Sequence, residues 1–279
     1  VRVALSENGE NISFYRDPRL TATSIANFSQ KDAKSWKAFI DYIDNLTHFL
    51  ERLYELIPPK LPNIGLKEAF SMRSMLSPIR KHGTRGLVDF MRVAPMMMPE
   101  LVDEWFENEF VQSAISLVGI NHLSFGPFAA GTGYNLLHQH VHGKGVFHNT
   151  QFVNGGTGEL AQVLASVAES NNVEIRTGSK VKSIDVENGR CGGISLTGGE
   201  LIQADRVVSG LDPKNTFMNL VGTSNLNPNF HTQLNNIRYR GSTARVHFAL
   251  NKLPEINGIL KDQMKTVFSV GPSIEYQER

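Results

Sequence analysis

The sequence predicts an α/β fold for its middle and an α+β, helix-rich fold for its first half. Three observations carry this. A long apolar stripe at helical spacing fills residues 36–57. A Gly-rich turn at Gly155-Gly156 opens an amphipathic helix. Short apolar stretches, each of strand length and separated by Gly turns, then run from Val173 to Ser209.

Taken in order, residues 1–20 hold two short strands around Asn8-Gly9. That pair suits a tight hairpin, because both central residues of a type I′ turn need φ > 0. Ser29 followed by Asp32 resembles a capping box. Trp36, Phe39, Ile40, Ile43, Leu46, Phe49, Leu50, Leu53 and Ile57 then share one helix face. Pro58-Pro59 stops that helix, since proline has no N–H to donate and disfavours α geometry in the residue before it. Further helices are expected at 66–81, 84–94 and 99–118, the last opening on Pro99-Glu100 and closing at Gly119. Met96-Met97-Met98 is expected in the core before that helix; adaptable pocket lining is the other reading of three unbranched, polarisable side chains.

Val153–Asp212 is the most informative stretch. Leu160, Val163, Leu164, Val167 and Ala168 recur at helical spacing from Gly158 onward, a stripe that should bury one face against a sheet. Asn171-Asn172 ends the helix, Val173–Arg176 forms a short strand and Lys180–Val186 another. Asn188-Gly189 is a second hairpin signal, Gly192–Leu196 returns, Gly198-Gly199 turns, and Leu201–Gln203 completes a meander. Asp205–Ser209 adds a brief buried strand through Val207 and Val208. Its end, Ser209-Gly210, lies at the carboxyl end of a strand, where α/β sheets meet ligands. Nucleotide-binding domains of this kind carry G-x-G-x-x-G after their first strand, and that pattern occurs nowhere in the 279 residues.

Composition narrows the function. The length admits one large domain or two ordinary ones, and 41% hydrophobic residues can fill a sizeable core. A formal charge of +1 gives no electrostatic case for nucleic acid. Cys191 is the single cysteine, which excludes an internal disulfide and a CxxC redox pair. No apolar run reaches the ~18 residues of a membrane helix, and no signal peptide is visible. Peripheral membrane contact, oligomeric state and compartment stay open.

His138, His140 and His142 alternate, with His122 and His148 nearby. On a strand the three would share a face; on a helix only His138 and His142 would pair. Alternation is the whole case for a metal, whose sites usually join three or four His, Cys or carboxylate ligands, so no metal is assigned. A ligand-facing His138 is the other functional reading. No Ser-His-Asp or paired-carboxylate spacing stands out, and catalytic residues are unassigned.

The run GGTGELAQVLASVAESNNVEIRTGSKVKSI, followed by the meander and RVVSGLDP, resembles the middle of the phytoene-desaturase-like FAD oxidoreductases, within the amine-oxidase-type flavoproteins. Phe28-Ser29 with Asp32-Ala33, Asp103–Glu107, Gly131–His138 and Ser242–Pro254 follow in the expected order and resemble the branch named for a pyridine nucleotide-disulfide oxidoreductase domain. The likeness covers nearly the whole chain. It implies the central piece of a two-domain FAD/NAD(P)-binding, Rossmann-like flavoprotein with a helix-rich substrate domain. Residues 1–150 would belong to the substrate domain, 151–215 to the FAD-binding domain, and 216–279 would return to the substrate domain. The phosphate-binding loop would precede Val1 and a C-terminal flavin-binding segment would follow Arg279.

Carried over residue by residue, the resemblance implies that Val181 contacts the FAD adenine through its backbone. Gly155 and Gly156 match paired glycines near the cofactor and substrate side, and Ser209 and Gly210 match a strand end beside the adenosine half. The implied activity is removal of hydrogen from a C–C or C–N bond of a largely apolar small molecule. The parent protein would act with FAD, and this piece alone would be inactive. A non-catalytic interaction or scaffold protein with the same fold is the alternative. Residues 99–150 are expected to face an apolar tunnel, with Phe125 and Leu136 as the positions that separate tunnel from core.

Overall fold

The computed structural model describes residues 1–55, 76–141, 145, 147, 153–241, 243–259, 261–264 and 266–279. The chain divides into two units, Val1–Gln151 with Ser242–Arg279, and Phe152–Gly241.

In the first unit β1 (Arg2–Leu5) and β2 (Asn11–Phe14) form the expected hairpin, but only Gly9, at φ 83°, has the positive φ of a type I′ turn. Asn8 does not, and a longer loop is closed by the Ser6 N–H on the Glu10 carbonyl. β1 also pairs in parallel with β6 (Val267–Val270), so the strand order is β2-β1-β6. α1 (Pro18–Ile25) starts at Asp17, whose carboxylate accepts from the Arg19 N–H. α2 (Gln30–Tyr54) starts at Ser29, whose Oγ accepts from the Asp32 N–H at 3.1 Å. The stripe of α2 is the core of this unit: Trp36, Phe39, Ile43, Leu46, Phe49 and Leu50 are at most 2% exposed. Trp36 and Phe39 join Phe14, Phe106 and Phe147 in an aromatic cluster with centroids 5.1–6.3 Å apart. Such rings bury large apolar areas, so they dominate local energetics. Ile57 and Pro58-Pro59 lie outside the described residues.

The capping box is only half formed, and the other half does something else. The Ser29 N–H is taken by the Ile25 carbonyl at 3.1 Å. The fully buried Asp32 carboxylate instead accepts from the Glu107 and Asn108 N–H groups at 2.9 and 3.0 Å. This contact sits where the helix expected over 99–118 divides. The observed helices there are α4 (Met98–Asp103) and α5 (Glu109–Gly119), the second started by Asn108, whose side chain accepts from the Phe110 and Val111 N–H groups. α3 (Leu76–Val93) breaks at Gly83, with φ 71°, at the boundary expected between 81 and 84; residues 66–75 lie outside the described residues. Met98 is fully buried and Met96 packs against the core, as the core reading of the methionines requires.

Among the described residues of 99–150, where an apolar tunnel is expected, many side chains are core, and others line a pocket taken up below. Leu101, Val102, Phe106, Ile115, Val118 and Leu136 are at most 4% exposed, whereas Phe125 is 56% exposed. α5, which carries the apolar run Ile115–Ile120 to its end, packs directly on α6 (Thr132–Val141).

In the second unit α7 (Thr157–Ser170) precedes an antiparallel meander of β3 (Val181–Glu187), β4 (Arg190–Leu196) and β5 (Leu201–Gln203). Asn188 and Gly189 have φ 50° and 74°, the pair of positive values that a type I′ turn needs. A π-helix (Lys214–Gly222) packs on β3, and α8 (Pro228–Asn236) follows. Two expectations change here. Val173–Arg176 and Asp205–Ser209 form no ladder among the described residues, and Val208 is 97% exposed rather than buried. A strand requires a neighbouring strand to take its backbone groups, and the meander already pairs within itself. The apolar stripe of α7 is also uncovered: Leu160, Val163, Leu164 and Val167 are 50–61% exposed. Among the described residues, no helix is long and apolar enough to cross a membrane.

Candidate functional site

In the second unit, segments far apart in sequence meet around one pocket of about 580 Å³. β3 supplies Val181 and Ile184, β4 supplies Ile194, the extended segment after β5 supplies Val207 to Leu211, and the π-helix supplies Asn215, Asn219 and Leu220. The β3–β4 register is irregular between Val181 and Ser183. A bulge of this kind interrupts the ladder locally and recurs beside binding sites. The strand end is held by hydroxyls: Ser209 Oγ lies 2.7 Å from Thr216 Oγ1 and accepts from the Leu211 N–H at 3.2 Å. Asn215 is fixed in turn by Asp212, which accepts from its backbone N–H at 3.0 Å and from the Tyr239 hydroxyl at 2.9 Å. The Asn215 N–H and then the Asn215 amide, with lesser help from the Tyr239 phenol, hold the Asp212 carboxyl below its usual range against the opposing effect of desolvation.

The structure therefore brings Val181, Ser209 and Gly210 to one lining. Gly155 and Gly156 are not on it. They start α7, with φ 84° and 92°, values that favour glycine at both positions. Among the described residues, Lys180 is the only ionisable one on the lining; the others are aliphatic, hydroxyl or amide, with Gly210 adding backbone. Such a lining offers apolar walls and a few hydrogen-bonding edges and, among the described residues, no acid–base pair. Asn215 and Asn219 escaped sequence reasoning because nothing in their local pattern marks them; their spacing of four, one face of a helix, is the available signal.

His138 and His140 fall in the first unit, on α6, where alternation does not put them on one face. His138 Nδ1 lies 2.5 Å from the Tyr54 hydroxyl. His140 is buried, with Nε2 2.5 Å from Asp44 Oδ1. His142 and His148 lie outside the described residues. Among the described residues, no three His, Cys, Asp or Glu side chains are grouped to hold a metal ion. Tyr54 and Tyr134, which stand around His138, were missed; Tyr134 lies four residues before His138, and that spacing was readable.

Residues 50–262 match the model of the family described as flavin containing amine oxidoreductase. Pyridine nucleotide-disulfide oxidoreductase domain-containing protein 2 of Rattus norvegicus is 27% identical over 239 residues, covering 82% of this chain and 41% of that protein. A phytoene desaturase (lycopene-forming) of Paracoccus sp. is 25% identical over 231 residues, covering 83% of this chain and 42% of that protein. A 4,4'-diaponeurosporene oxygenase of Staphylococcus aureus is 23% identical over 223 residues, with 79% and 41% covered. The chain thus spans about two fifths of the length of these relatives. The family match takes in β3, β4, β5 and the whole pocket of the second unit, and it covers well over half the chain. The chain belongs to the flavin-containing amine oxidoreductase family.

Proposed function

We propose that this chain is the central part of an FAD-dependent oxidoreductase that removes hydrogen from a largely apolar substrate, and that the second unit's pocket receives the adenosine end of FAD. The observation that carries the reading is the meeting of Val181 with Ser209 and Gly210 on one lining. The donor set fits a flat heteroaromatic ring: Val181, Ile184, Ile194 and Val207 offer apolar walls, and Ser209, Asn215 and Asn219 offer edges for ring nitrogens. The helix that starts at Lys214 and brings Asn215 to that lining already has the Asn215 and Thr216 N–H groups bonded to Asp212. The fit therefore extends to the ring and not to the pyrophosphate, which usually sits at a helix N-terminus with open N–H groups. Gly155 and Gly156, in their positive-φ turn, stay in the proposal as a second approach to the cofactor. The exposed stripe of α7 supports the Rossmann-like, two-domain fold, in which a helix of this kind covers a sheet.

Bound flavin supplies a two-electron acceptor for the hydrogen that leaves the substrate. The residues of this chain would hold the cofactor, orient it and exclude water. The names of the relatives, a phytoene desaturase and a diaponeurosporene oxygenase, support an apolar substrate. Family membership favours catalysis over a scaffold role.

The test uses the full-length protein. It should purify yellow with about one flavin per chain, and Val181→Ala should retain it. Val181→Pro should lose most of it, since proline removes the N–H and fixes φ. Equal flavin retention in both folded variants removes Val181 from the site. A folded, colourless full-length protein overturns the function.

A further inference from the structure

The first unit carries a pocket of its own, about 410 Å³, whose apolar walls include Leu123, Phe125, Ala129 and Ala130. One side of it is a row of polar groups. α2 ends on Tyr54, and α6 presents Tyr134 and His138 four residues apart on one face. The Tyr54 hydroxyl lies 2.9 Å from the Tyr134 hydroxyl and 2.5 Å from His138 Nδ1. The rings are packed as well as bonded: Tyr134 stacks on His138 at 6.5 Å and 12°, and Tyr54 meets His138 edge-on at 5.7 Å.

Hydrogen counting shows what this row offers. A phenol has one hydrogen to donate and lone pairs that accept. When Tyr54 donates to Tyr134, as a donating His138 Nδ1–H permits, the Tyr134 hydrogen is left to donate. When His138 Nδ1 accepts, Tyr134 donates to Tyr54, and the Tyr134 lone pairs are left to accept. Either way Tyr134 is the end of the row, and its hydroxyl has one partner among the described residues. Desolvation, then the Tyr134 phenol, hold Tyr54 above the ordinary phenol range, so Tyr54 keeps its hydrogen. Among the described residues no Lys, Arg, Asp or Glu is on the lining, which disfavours a charged head group. Phe125, 56% exposed beside this row, is an apolar face with room for a hydrocarbon chain.

We propose that this pocket binds the oxygen-bearing end of an apolar molecule, with Tyr134, backed by Tyr54 and His138, hydrogen-bonding one uncharged carbonyl or hydroxyl oxygen and Phe125 flanking the hydrocarbon chain. The inference deepens the apolar-substrate reading and rests on it for the purpose of the pocket. Its test needs no flavin, so failure here leaves the flavin reading standing.

Calorimetric titration of this chain compares 2-decanone with 2-methyl-1-decene, which has the same shape but carries =CH₂ in place of the oxygen. The ketone should bind roughly threefold to tenfold tighter, the worth of one neutral hydrogen bond. Tyr134→Phe should bring the ratio close to one and leave the alkene affinity unchanged. Ala130→Trp should weaken both by filling the pocket. Thermal melts establish that each variant is folded. Equal affinities in the parent chain, an undiminished ratio in Tyr134→Phe, unaltered binding in Ala130→Trp, or no binding of either probe overturns the proposal.

Discussion

α2 in the first unit and α7 in the second carry the same kind of apolar stripe, and the two stripes have opposite surroundings. Trp36, Phe39, Ile43 and Leu46 of α2 are at most 2% exposed, whereas Leu160, Val163, Leu164 and Val167 of α7 are 50–61% exposed. Helical spacing determines which side chains share a face. Whether that face is covered depends on residues remote in sequence. For α2 these are Phe14, Phe106 and Phe147, which close over Trp36 and Phe39. In the second unit the meander spends its own packing on the π-helix, through β3. An amphipathic pattern therefore declares a need for a partner surface, and the two helices show that need met and unmet in one chain.

Mutation should expose the difference directly. Phe39→Ala should cost ~3–5 kcal/mol and Leu136→Ala ~2–5 kcal/mol, because both side chains are fully buried and leave a cavity. Leu164→Ala should stay within about 0.5 kcal/mol, as surface substitutions do. Denaturant unfolding of the chain measures all three. A large loss in Leu164→Ala would mean that α7 is covered in solution and the comparison fails.

Asp32 sharpens the same point at a polar position. Its carboxylate receives the Glu107 and Asn108 N–H groups inside the first unit. Asp32→Ala leaves both donors unmet and should cost roughly 2–3 kcal/mol. Asp32→Asn keeps one acceptor and should cost about half as much. Equal, small losses would show that water replaces the carboxylate.

The hairpins at Asn8-Gly9 and Asn188-Gly189, the stripe of α2, the break near Gly83 and the meander were legible because each is set by local spacing and turn chemistry. The division of the helix over 99–118 was not. It occurs where Asp32 captures a loop 75 residues away, and nothing near Glu107 announces that. The same limit explains Val173–Arg176 and Asp205–Ser209: their composition suits a strand, but a strand is a relation between segments. At the candidate cofactor site, Val181 and Ser209-Gly210 came from resemblance, and the geometry joins them on one pocket. Tyr54 could not be placed beside His138 from the sequence, since their meeting depends on how α2 packs on α6.

The smallest expected effect lies on the surface of the second unit. There Arg176 donates to both carboxylate oxygens of Glu200, at 2.9 and 2.7 Å, and ties the segment before β3 to the start of β5. The hydrogen bond from Arg176 is the main cause that holds the Glu200 carboxyl below its ordinary 4.5. A carboxyl lowered on folding adds stability that is fully present above the unfolded value and is lost as pH falls through the folded one. Stability from this pair should thus be level from about pH 7 to about pH 5 and decline below about pH 4.5. Both partners are exposed, so the amplitude is small and shrinks further in salt. Denaturant unfolding of the parent chain and Glu200→Gln across that range isolates the contribution, because Asp212, also lowered, titrates in both. The two curves should converge at the acid end. Curves that stay parallel would mean that the forked pair adds nothing to the hold of β5 on the segment before β3, and that backbone bonds such as Thr197 N–H to the Lys180 carbonyl and Val173 N–H to the Ala168 carbonyl hold residues 173–180 without it.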